Sequence, residues 1–199
     1  MGINVRKKKV VFLDRDGTVN IDREGYIKKP DEFELFDFSS EAIRILNKMG
    51  FLVIIVTNQS GIAREYYSIK DLEAIHAKMI CELELDNAHL DEIYYSPYHR
   101  EGTLAPYAIS HEDRKPGLGM FNKALEKYHF QVNESLMIGD KYTDVEFGRK
   151  AGLKTILVLT GSGKKEFLED RNRWKYRPNY VADNLLTAVK LIEKIGRDQ

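Results

Sequence analysis

The chain has 199 residues, 43% of them apolar and 31% charged, which is the composition of a globular fold and not of a disordered or collagenous chain. Its 31 Lys and Arg balance its 31 Asp and Glu, so no overall field favours nucleic acid or an anionic membrane surface. The longest apolar run, Phe51 to Val56, is far shorter than the about 20 residues that a helix needs to span a bilayer.

The basic stretch Arg6 to Lys9 leads into Val10-Val11-Phe12-Leu13 and superficially resembles a secretory leader, but Asp14 interrupts it too early for one. Myristoylation of Gly2 is not expected either, because Arg6 stands where Ser or Thr is needed. A lone cysteine, Cys81, cannot close an intramolecular disulfide and argues for a reducing compartment. A cytoplasmic location, a monomer and one domain over residues 1–199 are the expectations.

Apolar, β-branched stretches predict strands at Lys9 to Leu13, Leu52 to Thr57, Glu92 to Ser96, Leu136 to Gly139, Thr155 to Leu159 and Tyr180 to Ala182. Helical periodicity falls between them. Ala42, Ile45, Leu46 and Met49 mark one face, and Leu72, Ile75, Met79 and Leu83 a second, opened by the capping pair Ser68 and Asp71. Leu118, Phe121, Leu125 and Tyr128 mark a third, and Leu185, Val189 and Ile192 a fourth. Alternating strands and helices imply a doubly wound α/β fold with a mainly parallel sheet and helices on both faces. Asn20 to Phe38 and Pro97 to Pro116 are irregular and flank the strand ends, and neither is long enough for a large cap domain.

Ligands of such sheets bind beyond the carboxyl ends of the strands, so the residues there carry the functional reading. The first strand runs into Asp14-Arg15-Asp16-Gly17-Thr18-Val19, a carboxylate pair that can hold a hard cation or divide into nucleophile and acid. The second ends in Thr57-Asn58-Gln59-Ser60-Gly61, a run of donors suited to a phosphate. Arg114-Lys115-Pro116 supplies two cations before the third helix. The fourth strand ends in Gly139-Asp140, with Asp144 in the first turn of the next helix. Taken singly these are a polar turn, a helix cap, a solvated basic turn and a helix-terminal charge; together they put one set of chemical groups on one rim.

In that order and spacing the four motifs resemble those of the haloacid dehalogenase superfamily in its phosphatase form. The longer strings Asp14-Arg15-Asp16-Gly17-Thr18-Val19-Asn20, Gly25-Tyr26-Ile27 with Pro30, and Thr57-Asn58-Gln59-Ser60-Gly61-Ile62-Ala63-Arg64 are similar to the branch that holds heptose bisphosphate and histidinol-phosphate phosphatases. The resemblance implies that Asp14 attacks phosphorus, and that Asp16 first protonates the leaving alcohol and then deprotonates water. It implies Mg²⁺ held by the Asp14 and Asp140 carboxylates and the Asp16 backbone carbonyl, with Thr57 and Lys115 on the transferring oxygens and Asp144 in support. Asn58, Gln59 and Arg114, with Asn20, Arg64 and Lys141, are the candidates for the rest of the substrate. That substrate would be a small phosphorylated sugar, a heptose 1,7-bisphosphate before histidinol phosphate. A polynucleotide 3′-phosphatase is disfavoured by the balanced charge, and a non-catalytic phosphosugar-binding module by the intact Asp14, Asp16, Lys115 and Asp140.

The family's heptose members carry a structural zinc loop, whose ligand positions here read Ser96-Pro97-Tyr98 and His111-Glu112-Asp113. With no thiolate left, no structural zinc is expected. Glu65 stands where the pattern has glycine. Gly161-Ser162-Gly163-Lys164-Lys165 lacks the first glycine of a nucleotide-binding loop, with Val158 in its place. Cys81 is read as a buried thiol, His76 as a helix-surface residue without a partner, and Trp174, Tyr176 and Tyr180 as a packing cluster.

Overall fold

The computed structural model describes residues 8–23 and 26–197. Gly2, Arg6 and Lys7 of the leader reading and Gly25 of the Gly25-Tyr26-Ile27 string lie outside the described residues. The chain alternates β1 (Lys9–Leu13), α1 (Ser39–Lys48), β2 (Phe51–Asn58), α2 (Ile69–Leu85), β3 (Glu92–Ser96), α3 (Gly119–Tyr128), β4 (Leu136–Gly139), α4 (Tyr142–Lys150), β5 (Lys154–Val158), α5 (Gly163–Glu169), β6 (Tyr180–Ala182) and α6 (Leu185–Arg197). The six strands form one sheet in the order β3-β2-β1-β4-β5-β6, every neighbouring pair parallel.

Side-chain alternation along β1 builds the two faces. Val11 and Leu13 pack with buried residues of α1, α2 and α6, whereas Val10 and Phe12 pack with Met120, Phe121 and Ala124 of α3 and Phe147 of α4. The sheet is thus covered on both sides, which is why its strands read as continuous apolar runs. The α2 face formed by Leu72, Ile75, Met79 and Leu83 is buried as its spacing predicts, and the Ser68–Asp71 capping box is present. In α3 the buried positions are Met120, Phe121 and Ala124, while Leu118, Leu125 and Tyr128 sit only partly buried against the same core. Cys81 is exposed, contrary to its reading as a buried thiol: it lies between Met79 and Leu83, and so points away from the face they share. Trp174 is buried with Val145 and Leu157, against Tyr142, Phe167 and Tyr176, so most of the aromatic cluster near the end of the chain packs as expected.

The strand order reverses at β1, whose neighbours are β2 on one side and β4 on the other. This is the switch point at which an open α/β sheet forms a crevice. Leu13 pairs in register with both Ile55 and Ile138, so the residues that follow, Asp14, Thr57 and Asp140, emerge together. The connections β1–α1 and β3–α3 carry one short 3-10 turn, Pro30–Glu32, and no further sheet among the described residues. Among these residues no helix is long and apolar enough to cross a membrane.

Candidate active site

A small cavity of about 40 Å³ opens at the switch point, lined by Asp14, Asp16, Thr57, Asn58, Lys115, Lys141, Thr143 and Asp144. Asp14, Thr57, Lys115, Asp140 and Asp144 are all buried. Lys115 Nζ lies 2.7 Å from Asp14 Oδ1 and 2.6 Å from Asp144 Oδ1, one ammonium bridging two carboxylates. Burial opposes the charge on Lys115, but Asp14 and Asp144 outweigh it and hold the ammonium above the ordinary lysine range. Asn58 fixes the backbone at this point, donating from Nδ2 to the Lys115 carbonyl at 3.1 Å and accepting the Lys115 N–H on Oδ1 at 2.9 Å.

Asp14, Asp140 and Asp144 bring carboxylate oxygens within 4.8 Å of one another, the only such group of three or more metal-ligating side chains among the described residues. Asp140 is held by the turn after β5. Ser162 donates its N–H to Asp140 Oδ2 at 2.8 Å, and Thr160 Oγ1 donates to the Gly17 carbonyl at 2.6 Å. Asp140 Oδ1 is buried with no hydrogen-bond partner among the described residues. Burial, then the like charges of Asp14 and Asp144, push Asp140 well above the usual carboxylate range, and burial pushes Asp144 up to about 6 despite Lys115. Three crowded carboxylates, one with an unpartnered oxygen, fit a hard divalent cation bound through oxygen. Gly17 and Gly161 keep this cluster compact: both have positive φ, and a Cβ on either would collide with the Asp140 carboxylate.

The Asp16 carboxylate turns to a different set of partners. Arg15, itself 1% exposed, grips it through Nε (3.1 Å to Oδ1) and Nη2 (2.8 Å to Oδ1, 2.9 Å to Oδ2). Asn20 Nδ2 donates to Oδ1 at 3.1 Å and Gln59 Nε2 to Oδ2 at 2.8 Å. Burial alone would raise Asp16, but Arg15 and these donors outweigh it and hold the carboxyl below its ordinary range. Gln59 also donates to Thr57 Oγ1 at 2.8 Å and accepts from Tyr67 Oη at 2.6 Å, where burial keeps the Tyr67 phenol protonated. Asn20 is fully buried and spends its amide on Asp16 and the Ile21 carbonyl, so its place is behind Asp16 and not on a distal part of a substrate. Arg15 and His76, both absent from the sequence-based set, meet here: Arg15 Nη1 lies 3.1 Å from His76 Nε2. His76 is 7% exposed, which corrects its reading as a surface residue.

A second cavity of about 220 Å³ adjoins the first through Asp16, Asn58 and Lys141 and adds Asp22, Arg23, Tyr26 and Ile27 to its walls. Lys141 stands between the two and pairs with Asp22 at 3.3 Å. Arg64 and Arg114 reach the loop after β3: Arg64 contacts the His99 ring and Glu101, and Arg114 donates to the Tyr98 carbonyl at 3.3 Å. In that loop Tyr98 stacks on His111 with ring centroids 3.8 Å apart, and Asp113 accepts from Lys123 at 2.7 Å. Glu65, in the left-handed region at φ 59°, takes the Thr103 hydroxyl at 2.7 Å.

Comparison with known proteins agrees with this geometry. A family model described as HAD-hydrolase-like matches residues 113–188. A D-glycero-beta-D-manno-heptose-1,7-bisphosphate 7-phosphatase of Pasteurella multocida is 42% identical over 187 residues, covering 94% of this chain and 97% of that protein. The enzyme of the same name from Escherichia coli K12 is 38% identical, covering 92% of this chain and 95% of its own. Among solved structures, the D,D-heptose 1,7-bisphosphate phosphatase of B. bronchiseptica, complexed with magnesium and phosphate, superposes with a TM-score of 0.82 at 29% identity, covering 94% of this chain and 99% of its own. Fold, rim chemistry and end-to-end likeness agree, and the chain belongs to the phosphatases of the haloacid dehalogenase-like family.

Proposed function

We propose that the protein removes the 7-phosphate from a D-glycero-D-manno-heptose 1,7-bisphosphate in a Mg²⁺-dependent reaction through an aspartyl-phosphate. The observation that carries this reading is the buried chain Asp14–Lys115–Asp144 beside the unpartnered oxygen of Asp140, set at the switch point of the sheet. The substrate follows the names of the relatives, and it suits an outer cavity with both charged and aromatic walls.

Mg²⁺, held by the Asp14 and Asp140 carboxylates and the Asp16 carbonyl, would offset the charge that otherwise keeps a carboxylate and a phosphate apart. Asp14 attacks phosphorus, forming an oxygen–phosphorus bond as the bond to the sugar oxygen breaks. Lys115 orients Asp14 and offsets charge on the transferring oxygens together with the Thr57 hydroxyl. The entering phosphoryl charge raises the proton affinity of the Asp16 carboxylate, which takes up a proton from water as the substrate binds and gives it to the leaving sugar oxygen. In the second half Asp16 takes a proton from the water that frees Asp14. Lys141 and Arg114 would meet the rest of the substrate, with Arg64 supporting the loop beside them and Asn58, its amide spent on the Lys115 backbone, holding Lys115 in place. The enzyme would act as a cytoplasmic monomer without structural zinc.

The test is phosphate release from a panel of both anomers of heptose 1,7-bisphosphate, histidinol phosphate, other sugar phosphates and a 3′-phosphorylated oligonucleotide. The expected result is selective, Mg²⁺-dependent release from one heptose anomer, lost in Asp14→Asn. Equal rates across the panel would remove the heptose assignment.

A further inference from the structure

We infer that His76 and Arg15 are positioning residues for the acid–base group: His76 anchors Arg15, and Arg15 aims the Asp16 carboxyl at the leaving oxygen. This rests on the phosphatase reading and deepens it. A buried guanidinium must satisfy a fork of N–H donors, and each donor left without an acceptor is costly. Arg15 places Nε and Nη2 on Asp16, and Nη2 also reaches Gln59 Oε1 at 3.3 Å. Nη1 points the other way, into the core, where the imidazole Nε2 of His76 lies 3.1 Å off. His76 projects from the buried face of α2, on the same side as Leu72, Ile75 and Met79, so the anchor is fixed to a packed helix and not to a loop. Only an unprotonated Nε2 can accept from a guanidinium. Burial, then the Arg15 charge, push His76 down to about 3 and so keep it neutral.

The chain His76–Arg15–Asp16 therefore transmits the rigidity of α2 to a carboxyl that lines both cavities. A carboxyl gripped at both oxygens by one planar fork has its plane set as well as its place. Asn20 and Gln59 hold the same carboxyl but are neutral amides, and Gln59 is shared with Thr57 and Tyr67. Removing the Nε2 acceptor would free Arg15 to turn toward another partner, and Asp16 with it.

The leaving group separates aim from general damage. An alkoxide leaves only with a proton from Asp16, whereas p-nitrophenolate leaves without one. The measured quantity is kcat/KM, which covers the steps up to departure of the leaving group, with Mg²⁺ saturating. For His76→Leu the expectation is a fall of about 10- to 100-fold with a sugar phosphate and little change with p-nitrophenyl phosphate, since general acid catalysis contributes about 10²- to 10⁴-fold. His76→Gln, which restores an acceptor, should recover most of the sugar phosphate rate. Arg15→Lys keeps the charge without the fork and should reproduce the leaving-group dependence, which carries the test should His76→Leu fail to fold. An equal fall with both esters, or none in any variant, would overturn the inference. A wild-type enzyme that hydrolyses neither ester would instead overturn the phosphatase reading itself.

Discussion

His76 has to remain uncharged inside the fold, and this makes one residue a measurable part of the pH dependence of stability. Its folded-state pKa is pushed down to about 3, from burial first and Arg15 second, against 6.5 for an ordinary histidine. Between those values the unfolded chain binds a proton that the folded chain refuses, so stability falls as pH falls through about 6.5 toward 3. From pH 7 to pH 5 the loss assigned to this residue is roughly 2 kcal/mol. Urea unfolding of the wild type and His76→Gln at both pH values measures it: the wild type should lose that much more than the variant, and parallel losses would show that His76 does not titrate in this way. Position 76 was legible in principle, because it falls four residues after Leu72 and three before Met79 on the buried face of α2. Apolar spacing marks the face but does not say that a polar group on it has a partner sixty-one positions away.

The turn that follows β5 holds the carboxylate cluster together although its residues carry no chemistry of their own. Gly161 has φ 51°, and a Cβ there would lie 2.7 Å from Gly17 Cα as well as colliding with Asp140. Gly161→Ala is therefore expected to displace Asp140 and weaken the apparent Mg²⁺ affinity about 10- to 100-fold, the usual effect of disturbing groups behind a ligand. A Mg²⁺ titration of activity checks this, and an unchanged midpoint would contradict it. The sequence shows the glycines and shows that they do not make a nucleotide loop. It does not show that they face Asp140, because the approach of the β5 turn to the β1 turn is set by the sheet order. The strands themselves were readable, since burial on both faces leaves continuous apolar runs such as Phe51–Asn58, and only their ends shift by a residue. The seven-residue α5 was not, because behind its N-cap Ser162 only Phe167 and Leu168 are apolar, too few to set a helical period. In the loop after β3, the sequence shows Ser96, Tyr98, His111 and Asp113, but the Tyr98–His111 stack and the Lys123–Asp113 pair depend on contacts that no local pattern encodes.

Across the whole molecule, function is set against stability where three carboxylates crowd the end of β1. In the metal-free protein burial and like charge raise the Asp140 pKa. A carboxyl raised in the folded state stabilises at low pH and loses that contribution as pH rises through its folded value. Asp140→Asn should accordingly raise the melting temperature of the metal-free protein near neutral pH, by about 2–4 °C for each kcal/mol relieved. It should also abolish the stabilisation that added Mg²⁺ gives the wild type. Thermal melts with and without Mg²⁺ read both effects, and a variant that melts lower without metal would contradict the electrostatic account. The aspartyl-phosphate is tested most directly by an acid quench of the wild-type enzyme in turnover with a substrate carrying a radiolabelled scissile phosphoryl group. The expected result is protein-bound, alkali-labile label on the peptide that contains Asp14, absent in Asp14→Asn and depleted on a chase with unlabelled substrate. Phosphate release at full rate with no label on that peptide would contradict it.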